Sequence, residues 1–294
     1  MCLTLAVAAT AAVFTLGSGA DTTIAVRPGT DLQVADFAGD VTVRAWEKNA
    51  VRIQTDSPGN DKIYVKEADG TILVKAYSQR HEERTIDLAI MAPSWMNLVV
   101  SGVRTDVNIE GTKGRVRVDT VHGGIVVVGG RGQIELNAIN QDIHLTDASG
   151  TVLSETVNGD LTLQRIASDS VVVSTVNGEI FYEGTIRDRG VYHLTSHNGD
   201  IAIAMPKAAN ATVNVSTFSG EFASDFPVML SETRPGRRYC FTIGKGSARV
   251  QLESFQGTIH IFRPGTRTPG EAGNRDEDSD LDSDSKQEPD EDGE

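Results

Sequence analysis

Hydrophobic and polar positions alternate along most of this chain, and the alternation restarts at a nearly fixed interval. One phrase recurs: Ile139-Asn140-Gln141-Asp142-Ile143, Val157-Asn158-Gly159-Asp160-Leu161, Val176-Asn177-Gly178-Glu179-Ile180 and His197-Asn198-Gly199-Asp200-Ile201. Looser copies are Val121-His122-Gly123-Gly124-Ile125, Phe218-Ser219-Gly220-Glu221-Phe222 and Phe255-Gln256-Gly257-Thr258-Ile259. The third position of the phrase, with a degenerate first copy, falls at 105, 123, 141, 159, 178, 199, 220 and 257. The steps are therefore 18, 18, 18, 19, 21, 21 and 37 residues. The last step covers two units, or one unit and an insertion.

Each unit also holds a second strand-like triplet, such as Val116-Arg117-Val118, Ile134-Glu135-Leu136, Val171-Val172-Val173 and Val213-Asn214-Val215. Period-two alternation sends the outer residues of each triplet to one face. Two short strands and two turns per 18 to 21 residues is the arithmetic of a β-solenoid rung, in which equivalent residues of successive rungs lie about 4.8 Å apart. The expected inner columns are Ile143, Leu161, Ile180, Ile201, Phe222 and Ile259 on one side, and Leu136, Val173, Leu194, Val215 and Leu252 on the other. A hairpin meander is the rival, because Asn-Gly is also a hairpin-turn signal. Hairpins do not need the same residue type at every eighteenth position. The pattern therefore predicts an all-β fold, a β-solenoid built as a single-stranded β-helix-like stack over residues 101–263. Residues 21–100 lack the repeat and read as an antiparallel β region that caps the stack.

Composition adds a compartment and a tail. The chain has 294 residues and a formal net charge of -14. Residues 264–294 hold 12 acids and 3 bases, which predicts a disordered acidic tail. The body is mildly acidic with no basic cluster, which argues against nucleic-acid binding. Residues 1–20 form an uncharged apolar run ending in Ser18-Gly19-Ala20, the pattern of a signal peptide cleaved before Asp21. The run is short for a membrane span, so no integral membrane domain is expected after cleavage. Export follows, to the periplasm, the cell surface or the extracellular space. Cleavage removes Cys2 and leaves Cys240 without an internal disulfide partner.

The stretch from about Phe37 to Arg263 resembles a bacterial family of exported β-strand-repeat proteins labelled putative adhesins, a family of unknown function. Three features carry the likeness: the opening Gly39-Asp40-Val41-Thr42-Val43-Arg44-Ala45-Trp46, the recurrent Val-Asn-Gly-Asp phrases, and Phe241-Thr242-Ile243-Gly244-Lys245-Gly246 before a final Gln256-Gly257-Thr258-Ile259. The resemblance implies a β-solenoid in the cell envelope. It implies no established activity, and no catalytic residue can be carried over.

Candidate chemistry is sparse. Asp142, Asp160, Glu179, Asp200 and Glu221 make one acid column, a candidate Ca²⁺ site. Calcium wants six or more oxygens, and the pattern supplies no others. Bonds from these carboxylates to nearby backbone N–H groups are the simpler expectation. Asn140, Asn158, Asn177 and Asn198 form a neighbouring column that can bond along the stack or occupy left-handed turns. No nucleophile, base and acid share a plausible spacing, and no cofactor is expected. Val126, Phe181, Ala202 and Ala223 form an outward column less polar than an exposed sheet face usually is. It is either covered or a binding face. The leading functional expectation is a non-enzymatic, adhesin-like scaffold that binds an envelope polymer or protein. The alternatives are a right-handed β-helix polysaccharide lyase or hydrolase, and an envelope-stress sensing component.

Overall fold

The computed structural model describes residues 12–16, 20–55, 62–77, 85–227, 231–233 and 237–270. Every regular element among them is a β-strand. The acidic residues from 271 on, like most of the apolar run before Asp21, lie outside the described residues. Within that run Ala12–Leu16 is a strand, antiparallel to Lys62–Ala68.

The strands build two parallel ladders that share one core. In the first, Ile125, Ile143, Leu161, Ile180 and Ile201 lie in register across five successive strands. In the second, Val118, Leu136, Ser154, Val173 and Leu194 do the same. All but Ser154 belong to a single buried hydrophobic cluster. Alternation explains the burial. Ile134 and Leu136 point in while Glu135 between them is half-buried, and the same holds for Val171, Val172 and Val173. β-Branched residues dominate because they fill the pleated inner surface. Ser154 is the exception, a buried hydroxyl with no hydrogen-bond partner in a column of aliphatics.

The order of the last two rungs differs from the expected one. Ala248–Gln256 and Ile259–Phe262 lie between the rung at 191–204 and the rung at 211–224. The inner columns accordingly run Ile201, Ile259, Phe222 and Leu194, Leu252, Val215. The long step of 37 residues supplies the means. After Phe222–Ser224 the chain turns back, and Arg237–Ile243 pairs antiparallel on the outer side of Ala211–Thr217. It then crosses inward to fill the layer left between the two rungs. Short edges finish the stack, since Phe222–Ser224 is only three residues long and leaves little backbone open to unwanted pairing.

At the other end, parallel stacking begins earlier than position 101. The strand Asp31–Trp46 is a full rung, paired parallel with Leu98–Glu110 along both halves. Position 100 falls inside that second strand. Antiparallel pairs then cap each ladder. Thr71–Tyr77 joins Lys62–Ala68 on one side, and Leu88–Pro93 joins Ala50–Thr55 on the other.

Candidate functional site

The recurrent phrase builds one corner of the stack, and each of its positions has a separate task. The Thr or Ser immediately before each phrase is buried and donates to a carbonyl of the preceding layer: Thr156 to Gln141 O at 3.2 Å, Thr175 to Gly159 O at 3.2 Å, Ser196 to Gly178 O at 3.1 Å. The glycine answers a close approach. A Cβ on Gly159, Gly178 or Gly199 would sit 2.2, 2.0 or 1.9 Å from the carbonyl oxygen beneath it. Glycine here permits stacking rather than a hairpin.

The Asn column is a side-chain ladder. Asn158 donates to Asn140 Oδ1 at 2.9 Å, Asn177 to Asn158 Oδ1 at 2.7 Å and Asn198 to Asn177 Oδ1 at 2.9 Å. None of these asparagines has a positive φ, so the left-handed alternative does not apply. The acid column bonds to backbone. Asp142 Oδ1 accepts the Asp160 N–H at 2.8 Å, Asp160 Oδ1 accepts the Glu179 N–H at 2.7 Å, and Asp200 Oδ1 accepts the Thr258 N–H at 2.6 Å. The inserted rung places Thr258 between Asp200 and Glu221, so the five acids are not consecutive. Burial, then the neighbouring Asp160 and Asp200 charges, hold the Glu179 carboxyl above its ordinary range, with Arg267 opposing.

Next to the Asn ladder lies a feature that the sequence reading passed over. Val103, Ile139, Val157 and Val176 are 38–42% exposed, and they lead to His197, Phe255 and Phe218. The three rings stack along the axis at centroid distances of 4.8 and 4.7 Å, nearly parallel. Phe218, at 68% exposure, ends the row. A groove of about 520 Å³ runs beside the rings, lined also by Thr195, Arg238 and Glu253. The signal was present in the phrase as its first, apolar residue. It was missed because a residue flanking a turn in an alternating strand is ordinarily taken for core.

The outward column of the first ladder behaves differently along its length. Val126, Phe181, Ala202 and Ala223 do fall in one column, with His144, Thr162 and His260 between them. Val126 is exposed and Ala223 is half-buried, but Phe181 and Ala202 are buried at 2% and 1%. They form a small second core with Ala204 and Phe262. The segment after the last strand returns across this face. The Gly265 N–H donates to Glu183 Oε1 at 3.1 Å, and the Arg267 guanidinium reaches His260, whose Nε2 bonds Asp225 at 2.9 Å. These four residues therefore do not make one open face. No cluster of His, Cys, Asp and Glu among the described residues is arranged to hold a metal ion.

Two facing parallel ladders joined by stacked, glycine-bearing corners define an all-β, β-solenoid-like protein. The chain belongs to the Toastrack DUF4097 family, whose model matches residues 29–262. Among solved structures it is similar to a putative adhesin from Bacteroides fragilis NCTC 9343, at 13% identity and a TM-score of 0.37, over 85% of this chain and 97% of that one. It is also similar to a putative cell adhesion protein from Clostridium sporogenes ATCC 15579, at 9% identity and a TM-score of 0.28, over 84% of this chain and 100% of that one. No curated protein matches.

Proposed function

We propose that the protein is a non-enzymatic, adhesin-like scaffold, exported to the cell envelope, that binds an extended surface polymer or protein along its apolar corner. The observation that carries this reading is the continuous stripe from Val103 to Phe218. Single exposed apolar residues are ordinary, but a contiguous row marks an interaction surface. The corner is also rigid, since its Thr, Asn and acid side chains are bonded to one another or to backbone. A rigid row loses little conformational freedom when a partner lies along it. Tight corners of stacked glycines favour presentation of a surface over construction of a cleft, and the apolar run before Asp21 supports export.

The test is binding of purified envelope material to the full chain and to an Ile139→Asn, Val176→Asn, Phe255→Asn variant. All three sites are at least 41% exposed, so melting should change little. Retention should fall at least tenfold. Equal retention by both proteins would remove the apolar corner from function.

A further inference from the structure

The two corners of the stack carry opposite charge. Segments 103–106, 121–124, 138–142, 156–160, 176–179, 197–200, 218–221 and 255–258 form the apolar corner, and hold six Asp or Glu against one Arg. Segments 111–115, 129–133, 147–150, 165–169, 185–190, 205–210 and 244–249 form the opposite corner, and hold nine Lys or Arg against three Asp. Backbone bonds between layers bring these distant segments together. Thr151 N–H donates to Gly132 O, Ala167 to Ala148 O, Arg249 to Gly190 O and Ala248 to Asn210 O, all within 3.2 Å. In a chain of net charge -14, this corner is a positive ridge.

The ridge is not neutralised from within. Asp147 is taken by Arg165, at 2.7 Å. The Asp188 carboxylate accepts from Asn210 and Ser247, with Lys245 and Arg189 nearby helping to hold its pKa down. Asp169 is exposed. Arg115, Arg131, Arg187, Arg189 and Arg249 are exposed and make no ion pair among the described residues. Arg165 and Arg189 even occupy left-handed backbone, with φ of 53° and 64°, where glycine or asparagine is the unstrained choice. Stacked like charges repel, so this arrangement costs stability in the free protein.

We propose that this ridge binds a linear polycarboxylate, an acidic polysaccharide with carboxylates on successive sugars, laid parallel to the stack axis. Shape and residue type select that partner. The ridge advances about 4.8 Å per layer along the stack. Its cations other than Arg165 fall in two groups, Lys113, Arg115 and Arg131 toward one end and Arg187, Arg189, Lys207, Lys245 and Arg249 toward the other, with the layers at 147–150 and 165–169 between them. A corner touches a flat membrane only along a line, whereas a linear polymer laid along it can reach both groups. Six of the nine cations are arginine, whose planar fork pairs two-pronged with carboxylates. The site lies opposite the apolar corner and does not rest on that reading.

The experiment is fluorescence anisotropy of labelled polygalacturonate with the full chain, at 50 and 200 mM salt. With about four contacts and a salt slope of about 0.7 per contact, affinity should fall about 50-fold between the two conditions. An Arg131→Gln, Arg187→Gln, Arg249→Gln variant should bind at least tenfold more weakly and with a shallower slope. If that variant melts early, Lys113→Gln, Lys207→Gln, Lys245→Gln provides the same readout from other positions. The apolar-corner variant should bind polygalacturonate as the unaltered protein does, so the two readings fail separately. The proposal is overturned by no binding, by binding insensitive to salt or to both cation variants, or by tighter binding of inorganic polyphosphate or phosphatidylglycerol vesicles than of polygalacturonate.

Discussion

Gly123 and Gly124 are adjacent, have no positive φ, and should respond oppositely to alanine. A Cβ on Gly123 would lie 1.9 Å from the Thr105 carbonyl oxygen and 2.4 Å from its carbon. Backbone cannot rotate aside as a side chain can, so the corner must open by about an ångström before the contact becomes tolerable. Three bonds hold it closed: Val107 N–H to Gly124 O at 2.9 Å, His122 N–H to Val103 O at 2.7 Å, and Gly124 N–H to Asp106 Oδ1 at 2.7 Å. Losing or stretching them costs about 1 kcal/mol each, so Gly123→Ala should destabilise by about 2–5 kcal/mol once strain is included. At Gly124 the nearest atom to a new Cβ is Asp106 Oδ1, at 3.6 Å. Gly124→Ala should therefore be neutral or stabilise by about 0.4–1 kcal/mol, through the reduced freedom of the unfolded chain. Urea unfolding, with thermal melts in parallel, reads both. In a chain of this size the pair should separate by roughly 5–15 °C. Equal effects, or a silent Gly123→Ala, would refute the argument that carbonyl stacking dictates the glycine column.

Leu161, between Ile143 and Ile180 in the core, should lose about 2–5 kcal/mol on change to alanine in the same assay. Thr162 faces the other way but is only 7% exposed, beside Phe181, so Thr162→Ala should cost about 1 kcal/mol rather than nothing. Asp36 is buried, with one carboxylate oxygen bonded to Thr105 and the other without a partner, and burial pushes its pKa up from 3.8 to about 6. A raised carboxyl pKa means the folded state holds the proton more tightly. Its stabilising contribution is full below pH 3.8 and is lost as pH rises through about 6. Stability measured at pH 4 and pH 7, relative to Asp36→Asn, should show the native residue losing on the order of 2 kcal/mol at the higher pH, and a flat difference would contradict it. Asn158 bonds to asparagines on both sides, so Asn158→Ala should cost about 0.5–1.5 kcal/mol despite its exposure. A cost no larger than that of a typical surface substitution would show that the ladder is ornamental.

The repeat made the two ladders legible, because a column position asks for one residue type and the chain supplies it at each turn. Membership of a column is encoded, but order within it is not. Phe218-Ser219-Gly220-Glu221-Phe222 and Phe255-Gln256-Gly257-Thr258-Ile259 satisfy the same columns, so nothing in their pattern says which lies deeper. Parallel strands have no short turn to fix that order. The buried state of Phe181 and Ala202 was hidden for another reason. The segment that returns over them, 263–270, carries no apolar residue after Phe262 and is held by Gly265 and Arg267. The charge division between corners was invisible along the sequence, where Asp142 and Asp160, which fold to the apolar corner, stand between Arg131 and Arg165.

The inserted layer at 248–262 sets the order in which the protein can be completed. A simple stack grows as its chain emerges, each rung closing on the one before. Here the rung at 211–224 can pair on its outer side with Arg237–Ile243, but it has no neighbour toward the body of the stack until nearly the last described residues have been made. Until then the strands Val191–Asn198 and Ile201–Ala204 keep an open edge. A chain interrupted after residue 247 would lack not its end but a layer from its interior. Such a fragment is the form most exposed to edge-to-edge aggregation and most readily recognised as unfinished. The same feature constrains how this chain could change length. Rungs can be added or lost by duplication between 107 and 190, where each layer follows its predecessor, but not within the closing region, where one repeat is threaded between two others.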